Sequence, residues 1–148
     1  MHKFFSPESI VFFGLSSQEK NVPKLVLENV IRWGFEGRLF GVHPKAEEEH
    51  VRGITMYKSV EDLPEVPDLG VILIPANFVP DILEGCGKKG VKRLIIMSGG
   101  FNEAGEKGEE LAKKVKETAK KYNIRFMGPN CIATANSYKN LCLPFVPN

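Results

Sequence analysis

At 148 residues the chain fits one domain and is long enough to bury its own core without staples. A hydrophobic content of 43%, a charged content of 26% and a net charge of +2 spread over both signs are ordinary for a soluble globular protein, with no dedicated nucleic-acid surface. The start, Met1 to Pro7, lacks a secretory signal and no apolar run is long enough to span a bilayer, so the expectation is a cytoplasmic protein without membrane contact.

The first predicted strand, Ile10-Val11-Phe12-Phe13, ends in Gly14-Leu15-Ser16-Ser17, and Pro23 starts a helix soon after. A strand running through a small-residue turn into a helix is how an open α/β sheet presents amides to a phosphate, so this unit predicts a nucleotide-like ligand. The helix continues through Leu25, Val26, Asn29, Val30 and Trp33 until Gly34, with Val26, Val30 and Trp33 expected inward. A second strand, Arg38 to Val42, runs into His43-Pro44-Lys45. There is no G-x-G-x-x-G turn and no acidic residue after the second strand, as a free ribose would require; Lys45 suits a phosphorylated ribose, that of coenzyme A or of NADP. Lys45 reads equally as a solvated loop lysine, and Glu47-Glu48-Glu49 beside it count against an anion site.

A short polar crossing then reaches Ser59-Val60-Glu61-Asp62, an N-cap pattern that predicts a brief helical turn ending at Pro64. The third strand, Leu69 to Ile74, is apolar on both faces; Pro75-Ala76 ends it and Asn77 is expected to cap a helix that buries Ile82, Leu83 and Cys86. A fourth strand, Arg93 to Met97, opens into Ser98-Gly99-Gly100. The longest helix, about Lys107 to Tyr122, keeps Leu111, Val115, Ala119 and Tyr122 on one face. Its other face predicts ion pairs of Glu109 with Lys113, Glu110 with Lys114 and Glu117 with Lys121. A fifth strand, Ile124 to Met127, runs into Gly128-Pro129-Asn130-Cys131.

Alternating strands and helices predict an α/β fold: a Rossmann-like, doubly wound open parallel sheet of about five strands with helices on both faces. The five turns then fall on one edge, where ligands of such sheets lie. Cys86, Cys131 and Cys142 are odd in number and, with the three histidines, lack metal-type spacing, so reduced thiols and no metal site are expected.

Read together, the turns resemble the CoA-binding domain of the nucleoside-diphosphate-forming acyl-CoA synthetases, the group of ADP-forming acetyl-CoA synthetase and the succinyl-CoA synthetase α subunit. The stretches that carry the resemblance are Phe5-Ser6-Pro7-Glu8-Ser9-Ile10, Gly14 to Ser17, Gly34-Phe35-Glu36-Gly37, His43-Pro44-Lys45, Tyr57 to Pro64, Ile74-Pro75-Ala76, Ser98 to Glu103 and Gly128 to Cys131. It implies that Gly14, Ser16 and Ser17 hold the phosphates of CoA, although serines also form turns and caps. It places Lys45, with Val42 and His43, by the adenosine end, and Ile74, Pro75 and Ala76 against the adenosine and upper pantetheine. Ser98, Gly99 and Gly100 would cross the pantetheine arm, and Asn130 and Cys131 would lie nearest the thiol. The chain departs from the family pattern at Leu15, Pro23 and His43, and Leu15 in the turn or Pro23 at the helix start would narrow or weaken the site.

The resemblance also implies that residues 1–148 are a CoA-binding domain whose tail, 131–148, leads toward a second domain. The phosphohistidine and the nucleotide-grasp unit would belong to further domains or subunits, since none of His2, His43 and His50 matches the phosphorylated one. The expectation is therefore the CoA-binding part of an ADP-forming acid–CoA ligase, with no catalytic residue of its own. Two other readings are a CoA-sensing regulatory domain of a protein acetyltransferase and an NADP-binding redox domain.

Overall fold

The computed structural model describes residues 2–46 and 49–144. The central sheet contains β1 (Ser9–Phe13), β2 (Arg38–Val42), β3 (His50–Val51), β4 (Ile54–Tyr57), β5 (Leu69–Ile72), β6 (Arg93–Ile96) and β7 (Arg125–Met127). Their order is β3-β4-β2-β1-β5-β6-β7, and every pairing is parallel except that of the edge strand β3 with β4. The α/β class and parallel sheet expected from the sequence are thus observed, but with seven strands rather than about five.

The two additional strands form a hairpin in what reads as a polar crossing. Val51 faces Ile54 across a two-residue turn in which Arg52 and Gly53 both take positive φ, 52° and 79°. That geometry matches the twist of paired strands and closes the shortest hairpins. No helix forms at Ser59; its hydroxyl donates to Asp62 Oδ2 at 2.9 Å within a turn.

The helices α1 (Val22–Arg32), α2 (Val79–Lys89) and α3 (Glu106–Tyr122) divide between the two faces of the sheet. Side chains alternate along each strand, so Val11, Phe13, Ile72, Leu94 and Ile96 face α2 and α3, while Ile10, Phe12, Leu69, Val71 and Ile95 face α1. Each such fully buried side chain contributes roughly 1.5–3 kcal/mol of transfer free energy.

Several local expectations change. Val26 and Val30 of α1 are buried, but Trp33 is 42% exposed at the C-cap, and Leu27 occupies the inward position instead. A 3-10 turn, Ala76–Phe78, precedes α2, so Phe78 rather than Asn77 stands at its N-cap, without a side-chain bond. The buried stripe of α3 is Gly108, Ala112, Val115 and Ala119, with Leu111 and Tyr122 half-buried. None of its three expected intrahelical ion pairs is present among the described residues; Lys121 reaches Glu84 of α2 at 3.0 Å.

The segment after Asn130 folds back as β8 (Ala135–Asn136) and β9 (Leu141–Cys142), with Thr134 and Leu141 to Leu143 buried and the stretch between them mostly exposed. Leu141 and Leu143 join the core under α1, Thr134 Oγ1 donates to the Phe4 carbonyl at 3.3 Å, and Asn29 Nδ2 donates to the Pro144 carbonyl at 2.7 Å. Burial of Leu141 and Leu143 covers apolar surface on this face beside α1. Residues 145–148 of the expected tail, and Glu47 and Glu48 beside the expected lysine, lie outside the described residues.

Candidate functional site

All five turns follow the carboxyl ends of parallel strands and so fall on one edge of the sheet, the edge at which open α/β sheets bind ligands. There they form two adjoining clefts and, beyond them, a closed loop pair.

The smaller cleft, about 270 Å³, is lined by Ser16, Ser17, Gln18, His43 and Lys45 over a floor that includes Leu15, Val51 and Met56. Gly14 takes φ +81°, and a Cβ there would collide with Ile74 Cγ2, so the turn can approach the neighbouring strand end only without a side chain. The Gly14 amide is already bonded to the Val42 carbonyl at 2.8 Å. The Leu15 side chain is fully buried and lies over Gly41, where a Cβ would come within 2.8 Å of its Cδ2. It forms part of the floor of the cleft.

The larger cleft, about 490 Å³, lies between the ends of β2 and β5 and the start of α2. Val42, Ile74, Pro75, Phe78 and Ile82 give it apolar walls, with Lys45 and Lys58 among its cations and Glu61 and Asp81 among its acids. Its volume and its few polar groups on an apolar lining are typical of a small-molecule site. His43 and Lys45 line both clefts. His43 Nδ1 accepts the Lys45 amide at 3.1 Å, which fixes the loop that separates them.

Ser98, Gly99, Gly100, Asn130 and Cys131 line neither cleft and lie in the loops that follow β6 and β7, which the Asn130 amide joins at the Ser98 carbonyl. Ser98 is buried; its carbonyl accepts the Asn130 amide at 3.0 Å. Gly100, at φ +95°, donates its amide to Glu103 Oε1 at 2.6 Å, and a Cβ on it would stand 3.2 Å from Ala76. Amide bonds of Glu103 itself and of Gly100 hold the exposed Glu103 carboxyl below its usual range, outweighing a partial loss of solvation. Cys131 Sγ lies 3.5 Å from the Ile96 carbonyl.

Groups that sequence reasoning missed include Asn21, Lys24 and Lys58. Lys24 Nζ donates to the Ser17 carbonyl at 3.0 Å, which puts an ammonium beside the Gly14–Ser17 turn. Asn21 was legible, since an asparagine two residues before a helical proline is a cap pattern. Lys58 was not, because only the unforeseen hairpin turns the loop after β4 into the larger cleft. No group of three potential metal ligands occurs among the described residues, and no described helix is long and apolar enough to cross a membrane.

The family model described as "CoA binding domain" matches residues 8–137. The α subunit of acetate–CoA ligase [ADP-forming] I of Pyrococcus furiosus is 37% identical over 99% of this chain, which covers 32% of that protein. An acetate–CoA ligase [ADP-forming] of Methanocaldococcus jannaschii is 42% identical over 94% of this chain and 19% of its own length. Among solved structures, the dinucleotide-forming acetyl-coenzyme A synthetase 1 of Ca. Korarchaeum cryptofilum superposes with a TM-score of 0.91 at 31% identity, over 99% of this chain and 31% of that one. The chain thus spans a third or less of the length of these relatives. Their match lends no support to the acetyltransferase and redox readings.

Proposed function

The chain belongs to the CoA-binding domain family of the ADP-forming acetyl-CoA synthetases, and from that premise we propose that it holds coenzyme A for acyl transfer from an acyl phosphate. In this reading the phosphohistidine chemistry and the nucleotide-grasp unit reside in further domains or subunits. The observation that carries it is the pair of clefts joined at Lys45: one small and lined by hydroxyls, one larger and apolar. Coenzyme A has the same division, with phosphates on one side of a ribose and a purine on the other.

The roles follow from that fit. The phosphates lie against the Gly14 turn, where Ser16 and Ser17 donate hydroxyl protons and Lys24 adds charge. The purine packs between Val42, His43, Ile74 and Pro75, and Lys45 pairs with the phosphate on the ribose. Ala76 and the Ser98-Gly99-Gly100 loop support the pantetheine arm, and Asn130 and Cys131 lie toward its thiol. The chain binds and orients; it supplies no acid, base or nucleophile to the reaction.

The test is the affinity ratio of CoA to dephospho-CoA. One charge-assisted phosphate contact is worth roughly 1.5–3 kcal/mol, about ten- to a hundredfold in affinity. Lys45→Ala is expected to erase most of that ratio, and equal binding of the two ligands by the unaltered chain would remove Lys45 from the role.

A further inference from the structure

The chain from Gly14 to Asn21 makes few backbone bonds of its own, yet the proposed phosphate contacts need it in one conformation. Its amide and carbonyl groups are held mainly from the start of α1. Asn21 Nδ2 donates to the Gly14 carbonyl at 2.9 Å, Asn21 Oδ1 accepts the Ser16 amide at 3.2 Å, and the Asn21 amide donates to the Gln18 carbonyl at 3.2 Å. The same Oδ1 accepts the Lys24 amide at 2.9 Å, and this last bond alone would suffice for an ordinary helix cap. The two side-chain bonds that run backward over seven and five residues fix the peptide groups on either side of Leu15, and hence the direction in which Ser16 and Ser17 leave the turn.

We propose that Asn21 is a positioning residue for phosphate binding, holding the Gly14–Ser17 turn in its binding conformation by bridging the Gly14 carbonyl and the Ser16 amide. The inference rests on the CoA reading for its ligand, but the bridge itself stands on geometry. A second consequence is chemical: with the Ser16 amide engaged by Asn21 and the Gly14 amide by Val42, neither of these two amides is the turn's donor to a phosphate, which leaves the serine hydroxyls and the turn's other amides.

Two variants separate positioning from capping. Asn21→Ser retains an oxygen for the Lys24 amide but is too short to reach Gly14. Asn21→Asp retains both acceptor bonds, loses the donor and adds a negative charge beside the turn. Amide exchange at Ser16, followed by NMR, reports the bridge without ligand; titrations with CoA and with adenosine 3′-monophosphate, which lacks the diphosphate, report binding.

Asn21→Ser is expected to fold with a near-unchanged melting temperature, to expose the Ser16 amide to exchange, and to weaken CoA by about tenfold, the loss of one charge-assisted contact. Adenosine 3′-monophosphate should bind it as it binds the unaltered chain. Asn21→Asp should keep Ser16 protected and still lose CoA affinity, more so at low salt. Unchanged Ser16 exchange in Asn21→Ser, or equal weakening of both ligands, would overturn the proposal. Failure of the unaltered chain to bind CoA would sink the CoA reading and with it the phosphate-binding role, while Ser16 exchange would still decide whether Asn21 holds the turn.

Discussion

The buried hydroxyl of Ser98 accepts the amide of Ile74 at 3.0 Å and so ties the loop after β6 to the loop after β5. Ser98→Ala leaves that amide without its partner, at a cost of about 1–2 kcal/mol. For a chain of this size the melting temperature should fall by roughly 3–8 °C. The same variant should weaken CoA, because Ile74 and Pro75 form a wall of the apolar cleft. An unchanged melting temperature would show that water replaces the hydroxyl without loss.

At the opposite end of the strands, Asp68 Oδ2 accepts Lys3 Nζ at 2.9 Å and the Glu8 amide at 2.8 Å. Burial raises the Asp68 carboxyl, but the bonds from Lys3 and Glu8 outweigh it and hold the group below its ordinary value of 3.8. A group that binds its proton less readily when folded stabilises the fold fully above its unfolded value, and loses that contribution as the pH falls through the folded one. Denaturant titrations should therefore show Asp68→Asn weaker than the unaltered chain at pH 7, with the gap closing below about pH 4. A gap that is constant with pH would show that the carboxylate charge does not matter.

Gly87 lies inside α2, where alanine would improve helix propensity by about 1 kcal/mol. A Cβ there would, however, overlap the ring of Tyr122, whose hydroxyl donates to Glu84. Overpacking of this kind costs about 1–3 kcal/mol, and displacing the ring also strains the bond to Glu84. Gly87→Ala should thus destabilise the chain in chemical denaturation, and a gain in stability would mean that Tyr122 moves aside freely.

The three thiols differ in reach. Cys86 is fully buried, and burial pushes its thiol far above the usual value; burial also raises Cys142. Brief alkylation of the folded chain should label Cys131 first. CoA should slow that labelling if Cys131 lies at the thiol end of the ligand, and labelling indifferent to CoA would place the arm elsewhere.

The sheet was legible where burial acts on continuous runs. Ile10 to Phe13, Leu69 to Ile72 and Arg93 to Ile96 are long enough to announce strands covered on both sides. The hairpin of β3 and β4 was not, because strands of two and four residues carry little periodicity and Arg52-Gly53 is a weak turn signal beside Asn-Gly. The fold of residues 131–144 was hidden for a different reason. Its polar run around Asn136 to Asn140 reads as a linker, and Leu141 and Leu143 are buried only because the face beside α1 needs a cover. At the site, the placement of each turn on one edge was legible from strand–turn order. The division into two clefts was not, since it depends on Leu15 facing inward and on the hairpin carrying Lys58 to the larger one.

The central claim, that this domain holds CoA by its phosphates, is tested most directly by calorimetric titration of the purified chain with CoA against dephospho-CoA and NADP. The account predicts saturable CoA binding that weakens about tenfold or more without the 3′-phosphate, and no comparable binding of NADP. Absence of saturable CoA binding would contradict it, whereas equal affinity for CoA and dephospho-CoA would remove Lys45 from the 3′-phosphate and leave the diphosphate contacts as the claim.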